Sequence, residues 1–225
     1  MRFSLLVLVL LAVAGCDTTE PDAPLAPALP LAVGAEWTLE RAYRVTFDDG
    51  VPLDTVALDA GSRRHTLRAT RDTVVDGETW VRIEAVTDVP DGPTFFHCVF
   101  GDPAWYANRE GGLARWTETP ADAQIVYAVG VTPGVPFLDD DRFTAALVDD
   151  DARALGLPVR TYARTWRRVD LNAEVRGPIA PTGRTVDALS PSRGPIVLES
   201  QFVSSEDGGA TFVPTSTVGY RRVDL

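Results

Sequence analysis

The chain has 225 residues and a formal charge of −11, from 32 acidic against 21 basic side chains. A field of that sign repels duplex nucleic acid and anionic lipid surfaces, so neither is an expected partner. Every basic residue is arginine, and the two cysteines are Cys16 and Cys98. With Cys16 engaged as described below, no intrachain disulfide is expected and the fold must stand on its core.

Met1 and Arg2 give a basic start, residues 3–11 an apolar run, and Ala12, Val13, Ala14 and Gly15 a mostly small-residue stretch before Cys16. That is the layout of a secretory signal peptide, and the apolar run is well short of the roughly 20 residues a spanning helix needs. Val13-Ala14-Gly15-Cys16 resembles the lipobox of bacterial lipoproteins. The resemblance implies a removed signal peptide over residues 1–15, a diacylglyceryl group on the Cys16 thiol and a palmitate-type acyl chain on the freed amine. Several chains, at about 0.8 kcal/mol per buried CH2, hold where one is marginal. The expected location is the cell envelope, anchored to the outer rather than the inner membrane and facing periplasm or exterior. Asp17 directly after the cysteine matches an inner-membrane retention signal of enterobacteria, whereas Glu20 and Asp22 resemble a surface-export signal of Bacteroidota-like organisms.

Pro21, Pro24, Pro27 and Pro30 follow at every third residue, the period of polyproline II. Residues 16–30 therefore read as a lipidated cysteine and an extended tether, about 40 Å long at about 3.1 Å per residue.

Residues 31–225 read as one all-β domain. Trp37, Leu39, Tyr43, Val45 and Phe47 alternate with polar side chains, the period of a half-buried strand closed by Asp48-Asp49-Gly50. Residues 67–75 and 79–89 flank Asp76-Gly77, a dipeptide suited to a tight hairpin turn. Residues 105–109 and 113–117 form a second expected hairpin around Glu110-Gly111-Gly112. Further strands are expected at 95–100, 124–129, 160–169, 196–204 and 215–223, with a turn at Glu206-Asp207-Gly208-Gly209. One short helix is expected over residues 150–155, capped by Asp149 or Asp150 and stopped by Gly156 and Pro158. Short strands punctuated by Gly and Pro predict a single antiparallel meander closed as a barrel, half-barrel or sandwich. Trp166-Arg167-Arg168-Val169-Asp170-Leu171 echoes Tyr220-Arg221-Arg222-Val223-Asp224-Leu225, too short a match for a duplication.

The body also resembles Bacteroidota-type all-β envelope lipoproteins, most of which have no assigned activity. The likeness rests on Leu31-Ala32-Val33-Gly34-Ala35-Glu36-Trp37-Thr38, on the Val75 to Trp80 hairpin and on Ser192-Arg193-Gly194-Pro195-Ile196-Val197-Leu198-Glu199. It implies the β fold and no particular chemistry.

Catalytic signatures are sparse. The two histidines, His65 and His97, have no Gly-x-Ser-x-Gly elbow to serve. His97-Cys98 lacks the further ligands of a zinc site and reads as a buried strand pair. Asp139-Asp140-Asp141 and Asp149-Asp150-Asp151 match no EF-hand spacing and read as solvated loops. No metal, cofactor or catalytic residue is assigned. Tyr162, Arg164, Trp166 and Arg168 alternate along one strand face, so aromatic rings and guanidinium groups there form the candidate ligand-binding residues. The five tryptophans offer a second option, a stacking platform for sugars, although Trp37 and Trp80 fit the core better. The expected function is a lipid-anchored, non-catalytic envelope module that binds a ligand or an envelope protein. The alternatives are a lipocalin-like carrier of an apolar ligand and a small envelope hydrolase using paired carboxylates.

Overall fold

The computed structural model describes residues 26–48, 51–57, 64–87, 100, 103–139, 143–166, 182–204 and 213–225. The signal peptide, Cys16 and the first part of the tether lie outside the described residues, as do His97, Cys98, the expected strand at 95–99 and the turn at 206–209.

Among the described residues thirteen strands make one antiparallel sheet. The first seven are β1 (Glu36–Asp48), β2 (Val51–Ala57), β3 (Arg64–Val75), β4 (Glu78–Thr87), β5 (Ala104–Arg109), β6 (Gly112–Trp116) and β7 (Gln124–Ala128). A single 3-10 turn, Pro120–Asp122, separates β6 from β7. The remaining six are β8 (Pro136–Asp139), β9 (Phe143–Ala154), β10 (Leu157–Trp166), β11 (Thr182–Ser190), β12 (Gly194–Ser204) and β13 (Val213–Arg222). Their order is β7-β6-β5-β4-β3-β1-β13-β12-β11-β10-β9-β8. β2 lies on the same side of β1 as β3, pairing with residues 43–48 while β3 pairs with residues 36–40. Antiparallel hairpins account for most neighbours, and the β1–β13 pair joins the two halves. The consecutive strands β7 and β8 stand at the two edges, and the sheet curls until those edges approach, giving a nearly closed barrel. This is the expected all-β antiparallel fold, and among its expected closures it is the barrel.

The hairpin at Asp76-Gly77 forms as read, with both residues at positive φ (52° and 84°), the two-residue turn that matches strand twist. The expected helix at residues 150–155 is corrected: these residues continue β9, and the chain reverses at Leu155-Gly156 with φ of 50° and 79°. Leucine is rarely left-handed, which hid the turn. The aspartates that looked like a helix cap are exposed strand residues, with Asp149 accepting the Asp151 backbone N–H at 2.9 Å. β2, β8, β9 and β11 had no counterpart in the expected strands.

Period-2 alternation sends one set of side chains inward. Trp37, Leu39, Leu67, Ile83, Tyr106, Leu113, Tyr127, Leu147, Tyr162 and Leu198 belong to this main cluster. Ala28 and Leu29 belong to it too, both essentially inaccessible to solvent. The expected tether thus reaches the core before residue 30. Asn108 in β5 holds this lead segment, its Nδ2 donating to the Leu29 carbonyl at 2.7 Å, and Arg160 in β10 donates to the carbonyls of Ala26 (3.0 Å) and Pro27 (3.2 Å). The tight turns between β3 and β4, β5 and β6, β9 and β10, and β11 and β12 gather at the end this segment occupies. Strand ends at Asp139, Trp166 and Ser204 lead away from the opposite end.

Candidate functional site

The interior changes character along β10 and β11. Tyr162 pairs in register with Asp187, and Arg164 with Thr185, so all four side chains share the inner face. On the other flank of β10, Leu147 and Ala145 complete the same two rows. Tyr127 reaches across the barrel from β7: its hydroxyl donates to Asp187 Oδ2 at 2.6 Å, and its ring lies 4.9 Å from that of Tyr162. The Tyr162 hydroxyl donates to the Ala128 carbonyl at 2.9 Å. The Arg164 guanidinium sits 4.9 Å above the Phe143 ring. Two tyrosines therefore hold β7, the edge strand, against β10 and β11.

This polar tier is buried. Thr185 is 1% exposed, Asp187 3% and Arg164 9%. Even so, among the described residues Asp187 Oδ1, Thr185 Oγ1 and Arg164 Nε have no hydrogen-bond partner. Burial pushes the Asp187 carboxyl up to about 6, against the opposing hydrogen bond from Tyr127 and charge of Arg164, and with a smaller upward push from Glu199. Burial likewise pushes the Tyr162 hydroxyl up to about 12, opposed by Arg160.

Of the four candidate residues read from the sequence, Tyr162 and Arg164 come together here, facing inward. Trp166 ends β10, and its side chain, like all of Arg168, lies outside the described residues. Tyr127, Thr185 and Asp187 were missed. Their signal was Thr185, Asp187 and Leu189 alternating with Val186 and Ala188, a strand period with a carboxyl at its centre.

A second aromatic group occupies the outer face. Trp80, Trp105 and Trp116 pack with Ala107, Ala114 and Ile125. Trp105 stacks on Trp116 at 5.4 Å with planes 19° apart, and Trp116 meets Trp80 edge-on at 5.9 Å. Arginines cover the rings: Arg71 and Arg82 lie over Trp105 at 5.4 and 5.7 Å, and Arg109 over Trp80 at 4.7 Å. Arg109 is bound to Glu78 and Arg82 to Glu84. Rings covered by three arginines, two of them ion-paired, leave little free face for a sugar.

The paired-carboxylate arrangement does not assemble around Asp187. Glu199, the other carboxylate acting on it, accepts a hydrogen bond from Tyr43, whose ring crosses Gly219 on the outer face; a side chain at Gly219 would collide with that ring. Fold and tier together define a nearly closed antiparallel barrel with a polar storey in its interior. No protein-family model, curated protein or solved structure matches the chain.

Proposed function

We propose that this chain is a lipid-anchored module of the cell envelope that binds a small polar ligand inside its barrel without transforming it. One observation carries the reading: three buried polar atoms, Asp187 Oδ1, Thr185 Oγ1 and Arg164 Nε, converge on one inner face unpartnered. Each such group costs about 1–3 kcal/mol in the absence of a partner. A ligand that accepts from Arg164 and exchanges hydrogen bonds with Thr185 and Asp187 offsets that cost. The guanidinium favours a ligand with a carboxylate or a comparable acceptor, and the rings of Tyr127, Tyr162 and Phe143 favour a flat or apolar body. A carrier of purely apolar ligands is supported less well, because aromatic side chains already fill the lower interior. Anchoring through Cys16 rests on the lipobox resemblance and keeps the module at a membrane.

Native mass spectrometry on the full protein, extracted in detergent from its host envelope, tests the reading. The expected result is a non-covalent adduct of constant mass on the wild type that Thr185→Val and Arg164→Met each reduce about tenfold, the weight of one charge-assisted hydrogen bond. Bare wild-type protein, or equal adduct on the variants, would sink it. In the same spectra Cys16→Ser should lose the acyl mass; an unmodified wild type would separate failure of the anchor from failure of the ligand site.

A further inference from the structure

Arg164 and Asp187 are the two charged groups of the interior tier, and they stand on a diagonal. In register Arg164 faces Thr185, and Tyr162 faces Asp187 one row further on. The guanidinium of β10 and the carboxyl of β11 therefore share the inner face, with backbones about 7–8 Å apart. Both are more than nine-tenths buried. Among the described residues no ion pair joins them. Each is engaged on one side only: the guanidinium lies over the Phe143 ring, and Asp187 Oδ2 accepts the Tyr127 hydroxyl. Arg164 Nε, Asp187 Oδ1 and the neighbouring Thr185 Oγ1 are the atoms left over.

Charge decides what fits these atoms. Buried charges are stable when paired, and here one cation and one anion each keep an atom without a partner. A ligand with a carboxylate alone satisfies Arg164 and sets a second anion against Asp187. A ligand with an ammonium alone satisfies Asp187 and sets a second cation against Arg164. One that carries both groups on the same carbon meets both and leaves the charge of the tier unchanged. We infer that the interior site takes a zwitterion, a free α-amino acid with an aromatic side chain, its carboxylate on Arg164 and Thr185 and its ammonium on Asp187 Oδ1. The inference rests on the reading of this tier as a ligand site. The rings of Tyr127 and Tyr162, 4.9 Å apart, and that of Phe143 flank the charged pair and favour the aromatic body. The row of Arg164 and Thr185 continues on β12 to Ser200, which is only half-buried, so the site is closed least on that side.

Isothermal titration of the full chain with L-phenylalanine, with 3-phenylpropionate, which lacks the amine, and with 2-phenylethylamine, which lacks the carboxylate, tests the site. L-Phenylalanine is expected to bind with a Kd of about 1 mM or tighter, and at least about tenfold more tightly than either analogue. Asp187→Asn, which can still accept from Tyr127, should lower L-phenylalanine to the level of 3-phenylpropionate without weakening 3-phenylpropionate itself. Arg164→Met should likewise lower it to the level of 2-phenylethylamine. Thermal melting of each variant shows that it is folded. Equal affinity for L-phenylalanine and 3-phenylpropionate, or an Asp187→Asn variant that keeps the preference for the amino acid, overturns the inference and leaves the tier standing as a ligand site. If none of the three binds, the inference falls; an adduct carried from the host envelope then keeps the broader reading, and bare protein removes both.

Discussion

The two aromatic and arginine groups of this barrel, one inside and one outside, use the same residue types to opposite ends. Outside, Arg71, Arg82 and Arg109 lie on tryptophan faces, and glutamates neutralise Arg82 and Arg109. The group works as a cover for the sheet, although the Trp80 and Trp116 indole N–H groups beneath it are buried without a hydrogen-bond partner among the described residues. Inside, Arg164 has no ion pair among the described residues, Thr185 has no partner and Asp187 keeps one oxygen unused. The difference lies in charge: outside, Arg82 and Arg109 are held by glutamates, whereas inside a buried guanidinium and a buried carboxyl each keep an atom without a partner.

Trp80 carries the largest expected effect. Fully buried under Arg109 and against Trp116, it should cost about 3–5 kcal/mol on replacement by alanine. Urea denaturation measures this, and a loss below about 1 kcal/mol would show the outer cluster to be dispensable to the fold. Asp187 should respond with the opposite sign. Its carboxyl titrates near 6 in the fold against an ordinary 3.8, so the folded state holds the proton more tightly. Stability is then full below pH 3.8 and falls as pH rises through 6. Asp187→Asn, which can still accept from Tyr127, removes that loss and should be more stable than wild type by about 1–3 kcal/mol above pH 6, with the gap closing toward pH 4. Urea midpoints across this range that stay parallel would refute it. The smallest effect belongs to Arg109→Met: removing a half-exposed ion pair and a cation over Trp80 should cost about 1 kcal/mol or less and leave ligand binding untouched.

Much of the fold was legible because its determinants are local. Alternation marked β3 through β7, β12 and β13, and Asp76-Gly77 fixed a turn that needs only its own two residues. The misreading at residues 150–155 came from a conflict between local signals. Three aspartates lower strand propensity and imitate a cap, while Ala152 and Ala154 pack at strand period beneath Leu157 and Val159. β11 was overlooked for the reason that makes it interesting: an acidic residue at its centre breaks the apolar pattern that identifies a buried strand.

Candidate residues were legible only in part. Tyr162 and Arg164 stand two apart on one strand, which a period-2 reading detects. Their partners come from far along the chain, Tyr127 meeting Asp187 across 60 positions of sequence. No local pattern encodes that contact.

Composition and alternation by themselves determined an all-β antiparallel chain with short hairpins, because side-chain periodicity and turn preference act within a few residues. Tertiary structure alone decided which face turned inward, since apolar side chains line both faces of β4 to β7 and only the curl of the whole sheet distinguishes them. It also decided that β1 pairs with β13, that Leu29 enters the core and that Asp187 meets Tyr127 across the interior. Each depends on closing a barrel from strands far apart in sequence, where summed burial over the full sheet outweighs any local preference.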